Sequence, residues 1–166
     1  MRADKVYLVG FMGAGKTTVA RALARRLGWQ MTDIDEMIER RERQTVADVF
    51  ARKGEAYFRA AERAVLMEQL ATRHLIVATG GGTFVDPQNR AVINQDGASV
   101  WIDVPLDRLI ARVPADGRRP LAADRVEFER LYLLRRAAYE QAQMRLDASR
   151  AGVPALVEQV IHWLEE

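Results

Sequence analysis

Short apolar runs alternate along this chain with longer stretches whose apolar positions recur every three or four residues. The runs KVYLV at 5–9, LIVAT at 75–79 and SVWID at 99–103 show little polar alternation, so they predict strands buried on both faces. Shorter strands are expected at 30–33 and 144–147. Helical spacing predicts helices over 16–27, 35–43, 45–52, 54–73, 105–113, 124–143 and 154–164, and Pro87 opens another at its first turn. Gly28 reads as the C-cap that stops the first helix. Residues 115–123, with Asp-Gly and Arg-Pro steps and no period, read as a loop. Such alternation predicts an α/β fold with a parallel sheet covered by helices on both faces. No repeat, low-complexity tract or proline-rich linker divides the chain, so a single domain over 1–166 is expected.

Composition narrows the chemistry. Hydrophobic residues make up 49% and charged residues 29%, the balance of a globular domain rather than a disordered chain. There is no cysteine, which removes a disulfide scaffold, a thiol nucleophile, a thiolate zinc site and an iron–sulfur cluster together. The first five residues and the apolar run after them are too short for a signal peptide. No apolar stretch approaches the roughly 18 residues of a membrane span. A soluble, cytoplasmic, monomeric protein with no membrane partner is expected. The net charge of +2 is too small for a nucleic-acid footprint, and aromatic and basic residues are not interleaved. Lysine occurs only at 5, 16 and 53, so nearly all positive charge is arginine, whose planar fork suits carboxylates and phosphates.

The strongest motif is Gly10-Phe11-Met12-Gly13-Ala14-Gly15-Lys16-Thr17, a complete G-x-x-x-x-G-K-T between a predicted strand and a predicted helix. Glycines there let backbone N–H groups approach phosphate oxygens, and the following helix presents its positive end to the same anion. Gly13, Ala14, Gly15, Lys16, Thr17 and Thr18 are therefore the candidate nucleotide-binding residues, with Lys16 on the β and γ phosphates and Thr17 on Mg²⁺. The dinucleotide fingerprint G-x-G-x-x-G is excluded, because Gly13-Ala14-Gly15 runs into Lys16-Thr17-Thr18. Neither serine (Ser99, Ser149) lies in G-x-S-x-G, and His74 and His162 have no zinc spacing.

Asp33 and Asp35 end the second predicted strand, where alternate residues share a face, so both carboxylates are expected to point the same way. One would position hydrated Mg²⁺ and the other would take a proton; the alternative is a helix N-cap at Asp35. Gly80-Gly81-Gly82 follows LIVAT directly and would face the crevice at the carboxyl ends of the strands; the alternative is a flexible turn. Arg59 and Glu62, three apart on one helix, are either a guanidinium oriented by an acid or a solvated ion pair. Arg112, Arg118-Arg119 and Arg135-Arg136 are read against a charge-rich surface.

Taken together, the residues resemble the shikimate kinase family over nearly the whole chain. The loop Gly10-to-Thr18, Asp33-Ile34-Asp35, Gly54-Glu55-Ala56-Tyr57-Phe58-Arg59-x-x-Glu62, Gly80-Gly81-Gly82 and Arg119-Pro120-Leu121 stand in that family's order and spacing. The resemblance implies a P-loop kinase fold with a five-stranded parallel sheet flanked by helices, a substrate-binding region at 33–61 and a mobile lid at 112–124. It implies ATP-dependent, Mg²⁺-assisted phosphorylation of shikimate to shikimate 3-phosphate. Asp33 would match the magnesium-associated Asp, with Thr17, and Asp35 the proposed base. Arg59, Gly80, Gly81, Gly82 and Arg135 would match the groups that bind the small anionic polyol. Arg119 would match the lid arginine on the transferring phosphate, beside Lys16, and Arg112 and Arg150 would lie near adenine. The run Arg135-Arg136-Ala137-Ala138-Tyr139 lacks the family's proline, and Thr83-Phe84 is bulkier than its usual pattern, which is expected to alter the pocket rim. Two other readings stay open: a related small-molecule kinase, such as a gluconate or nucleotide kinase, and a nucleotide-binding regulator that turns nothing over.

Overall fold

The computed structural model describes residues 1–112 and 122–166. In chain order the elements are β1 (Lys5–Val9), α1 (Lys16–Leu27), β2 (Gln30–Asp33), α2 (Ile34–Glu42), α3 (Val46–Lys53), α4 (Glu55–Glu68), β3 (Leu75–Ala78), α5 (Pro87–Asp96), β4 (Ala98–Asp103), α6 (Leu106–Ala111), α7 (Ala122–Tyr139), β5 (Met144–Asp147) and α8 (Val153–Glu165). Among the described residues the five strands form one parallel sheet in the order β2-β3-β1-β4-β5. Every residue of β1, β3 and β4 is buried, whereas the edge strands β2 and β5 are partly open. That is why the three central strands read as unbroken apolar runs.

β1 holds the centre of the sheet, with Tyr7 beside Val77 of β3 on one side and Ser99 of β4 on the other. Its carboxyl end runs into the glycine loop, so the loop sits over the middle of the sheet at its ligand-binding edge. α8 turns Leu156, Val157, Val160, Ile161 and Leu164 inward and packs against α1. At the far end of β1 the first strand residue, Lys5, is fully buried. Its Nζ donates to Gln69 O at 2.6 Å and to Asp96 Oδ2 at 2.8 Å, and Asp96 also accepts from the Tyr7 hydroxyl at 2.6 Å. The buried charge is thus paired and hydrogen-bonded, as burial requires.

Several boundaries differ from expectation for local reasons. The helix expected at 35–43 begins at Ile34, because Asp33 rather than Asp35 is its N-cap and accepts from Glu36 N at 3.0 Å. Thr45 caps α3 the same way through Asp48 N at 3.1 Å, which leaves Val46 as the first helical residue. The helix expected at 54–73 ends at Glu68 and tightens into a 3-10 turn over Gln69–Ala71. α7 already starts at Ala122, inside the stretch read as a loop, and stops at Tyr139. The lid reading at 112–124 falls largely on residues 113–121, outside the described residues.

Candidate active site

A cavity of about 510 Å³ opens at the carboxyl ends of the strands, and the glycine loop forms its floor. Gly13 and Gly15 take left-handed φ values of 80° and 93°, and Gly15 is the N-cap of α1. Among the described residues no side chain caps this helix and its first turn carries no acid, so the positive end of its dipole faces the cavity. Lys16 is nearly buried, with Nζ donating to Gly10 O at 2.6 Å and Phe11 O at 3.0 Å. Thr17, Thr18, Asp33, Asp35, Gly81 and Arg112 line the same cavity. Arg112 Nη1 donates to Gly13 O at 2.7 Å, which holds the end of α6 against the loop.

The two aspartates meet in the cavity, but not because a strand alternates. β2 ends at Asp33 and the chain turns at once into α2, so Asp35 is a first-turn helical residue. Asp33 spends Oδ1 on its own helix and accepts the Thr17 hydroxyl on Oδ2 at 2.6 Å. Among the described residues, Asp35 Oδ1 is buried without a hydrogen-bond partner. Burial pushes its carboxyl up to about 6; the nearby Lys16 charge opposes this, and the charges of Asp33 and Glu62 add to it. A carboxylate with that value and a free buried oxygen is suited to accept a proton near neutrality.

The glycine run lies against these acids and against two arginines. A β-carbon on Gly80 would stand 2.7 Å from Asp35 Oδ1, and one on Gly82 would stand 2.5 Å from both Arg59 Nη atoms. The run is therefore a close-approach surface and not simply a turn. Arg59 Nη1 donates to Glu62 at 3.0 and 3.2 Å, and Glu62 is only 1% exposed. This pair is a buried acid orienting a half-exposed guanidinium, unlike a solvated surface bridge. Arg59 also sits over the rings of Phe58 and Phe50, with centroids 5.3 and 5.8 Å away.

α7 separates its adjacent arginines. Arg135 faces the glycines, its Nη1 3.0 Å from where a β-carbon of Gly81 would be, and it lies over the Phe11 ring. Arg136 turns to Asp103, which it grips through Nη1 at 3.0 Å and Nη2 at 3.2 Å, and it stacks over Trp101 at 4.8 Å. One arginine looks into the crevice and the other fastens the helix. Phe11, a variable position of the loop, makes edge contacts with Phe128 and Tyr132 of α7 at 5.1 and 5.5 Å. The Tyr139 hydroxyl donates to Gly81 O at 2.5 Å, and burial drives that phenol well above its usual value.

Arg150 lies exposed on the β5–α8 connection and does not line this cavity. Arg118 and Arg119 fall outside the described residues. The expectation that Phe84 would reshape the rim is overturned: it is fully buried in the core, and only Thr83 turns toward the site. The contacts of Phe11 with α7 and of Asp103 with Arg136 were not legible in the sequence, because each joins residues far apart in the chain.

The group paired with the Thr17 hydroxyl is an Asp33 carboxylate oxygen, the kind of ligand hard divalent cations prefer. Among the described residues no group of three acidic or histidine side chains forms a cage. One hydroxyl and one carboxylate beside a phosphate-binding loop fit Mg²⁺, which keeps most of its shell as water and phosphate oxygen.

Comparison with known proteins places this geometry. The sequence profile of the shikimate kinase family matches residues 12–165. A shikimate kinase from Persephonella marina is 37% identical over 157 residues, covering 94% of this chain and 96% of that protein. One from Gloeobacter violaceus is 40% identical over 169 residues, covering 99% and 94%. Among solved structures, the shikimate kinase from Acinetobacter baumannii in complex with shikimate superposes with a TM-score of 0.90 at 32% identity, covering 98% of this chain and 93% of that one.

Proposed function

The chain belongs to the shikimate kinase family, and from that premise we propose that it transfers the γ-phosphoryl group of ATP to a hydroxyl of shikimate, giving shikimate 3-phosphate. The observation that carries the reading is the convergence on one crevice of the phosphate loop, the partnerless Asp35 oxygen and the Arg59–Glu62 pair across the glycine run.

In this reading the loop N–H groups and Lys16 hold the triphosphate, and Arg112, which lines the cavity, flanks the nucleotide. Thr17 and Asp33 are the residues that would hold Mg²⁺, which when bound offsets phosphate charge. Arg59, beside Gly82, and Arg135, beside Gly81, take the acceptor's carboxylate over the run Gly80, Gly81 and Gly82. The acceptor hydroxyl is then held toward Asp35. Its oxygen bonds the γ-phosphorus as the bond to the β,γ-bridging oxygen breaks, ADP leaves, and the hydroxyl proton passes to Asp35. Arg119 would meet the charge on the transferring group. Most of the rate comes from position and charge, since phosphoryl transfer asks little covalent chemistry of the protein. ATP as co-substrate supports a cytoplasmic location, and the residues named here can act within a monomer.

The test is ADP release by the purified protein with ATP and Mg²⁺ against shikimate, gluconate and nucleoside monophosphates. Release with shikimate alone is expected. Release with gluconate or a nucleotide instead would move the acceptor class, and release with none would leave a nucleotide-binding regulator.

A further inference from the structure

Thr83 is fully buried just behind the glycine run. Its hydroxyl takes part in two hydrogen bonds whose direction is forced. The Gly80 N–H donates to Thr83 Oγ1 at 2.9 Å, so the hydroxyl proton goes to Glu62 Oε2, also at 2.9 Å. Glu62 receives Arg59 Nη1 on both oxygens, and the Arg59 guanidinium lies over Gly82. Gly80, Thr83, Glu62, Arg59 and Gly82 thereby form a closed ring that joins α4 to the end of β3. The glycine side is itself anchored, because Thr83 N donates to Gly80 O at 3.3 Å and Asn89 Nδ2 donates to Thr83 O at 3.1 Å.

Glu62 and Arg59 share one face of α4 and would swing together if nothing outside the helix held them. The Thr83 hydroxyl is the hydrogen bond that ties this acid to the sheet. We propose that Thr83 is a positioning residue for the acceptor: its hydroxyl fixes Glu62, and through it the Arg59 guanidinium at the angle that receives the substrate carboxylate. This rests on the acceptor reading above. The hydroxyl touches neither ATP nor the reacting oxygen, so its effect falls on acceptor binding.

Thr83→Val keeps the side-chain shape and removes the hydroxyl; Thr83→Ser keeps the hydroxyl and removes the methyl. With the folded variants, KM for shikimate is expected to rise about five- to twentyfold in Thr83→Val while KM for ATP stays within about twofold. Thr83→Ser is expected to keep both KM values near those of the wild type. If Thr83 acts through Glu62, the Thr83→Val/Glu62→Gln double variant has the KM of Glu62→Gln alone rather than the product of the two effects. An unchanged shikimate KM in Thr83→Val, a Ser variant as impaired as the Val variant, or additive effects in the double variant would each overturn the role. Thr83→Ala repeats the measurement if Thr83→Val does not fold; failure of both to fold beside an intact Ser variant assigns the hydroxyl to stability and also overturns it. A wild-type protein inactive on shikimate sinks the acceptor reading and this one with it. A wild-type protein active on shikimate beside an unaffected Thr83→Val sinks the Thr83 role alone.

Discussion

A β-carbon on Gly80 would lie 2.7 Å from Asp35 Oδ1, closer than real β-carbons come to any atom. The main chain therefore approaches the carboxylate where no side chain fits, and among the described residues the oxygen it faces is buried without a hydrogen-bond partner. A polar atom left in that condition costs stability and is kept for what it does.

Asp35→Asn should remove turnover while stabilising the ligand-free protein. The sign follows from the raised value of about 6: the folded state favours the protonated acid, so folding stability is lost as pH rises from about 4 through 6 and stays lost above it. Asn has no such dependence. Thermal denaturation of the two proteins should agree near pH 4 and diverge toward pH 7, with the variant more stable by about 3 kcal/mol. ADP release should fall at least a hundredfold. Near-normal kcat in Asp35→Asn would remove the base assignment.

The same carboxyl sets an acid limb. Because the ionised form is the proton acceptor, kcat/KM for shikimate should fall about tenfold per pH unit below roughly pH 6. A profile flat down to pH 5 would show that another group governs the step.

Gly82→Ala places a methyl against both terminal nitrogens of Arg59. Arg59 must give way, so KM for shikimate should rise tenfold or more with KM for ATP unchanged. Steady-state kinetics with each substrate varied in turn checks it, and an ATP effect of similar size would point to a general disturbance of the crevice.

Arg135 and Arg136 should separate cleanly. Arg135→Ala is expected to raise the shikimate KM with little change in Tm. Arg136→Ala loses the grip on Asp103 and the stacking on Trp101, although Asp103 keeps Arg145 at 2.7 Å. It should cost about 1–3 kcal/mol of stability, read by denaturant unfolding, with a smaller effect on KM.

Lys5→Met leaves the partly buried Asp96 with Arg73 and the Tyr7 hydroxyl. Because the cluster lies at the far end of β1, stability should fall by about 1–3 kcal/mol while both KM values hold. A kinetic effect would couple that end of the sheet to the site.

The sequence by itself determined the elements that rest on local pattern. Burial on both faces writes β1, β3 and β4 as apolar runs, and the limits of β1, α1, β2 and β5 match their expected spans residue for residue. The phosphate loop was legible because its glycines, Lys16 and Thr17 act through backbone geometry confined to one strand–loop–helix segment. Tertiary structure alone decided what depends on residues far apart in the chain. It made Asp33 the cap of α2 and the acceptor of the Thr17 hydroxyl, and it left Asp35 the carboxylate with a partnerless oxygen. It sent Arg135 to the glycines and Arg136 to Asp103, although the two are neighbours in a run of like charge. It buried Phe84 and turned Thr83 onto Glu62. The physical reason is common to these cases: a side chain's desolvation and its hydrogen-bond partner are set by the element packed against it, and a linear pattern carries the residue but not the neighbour.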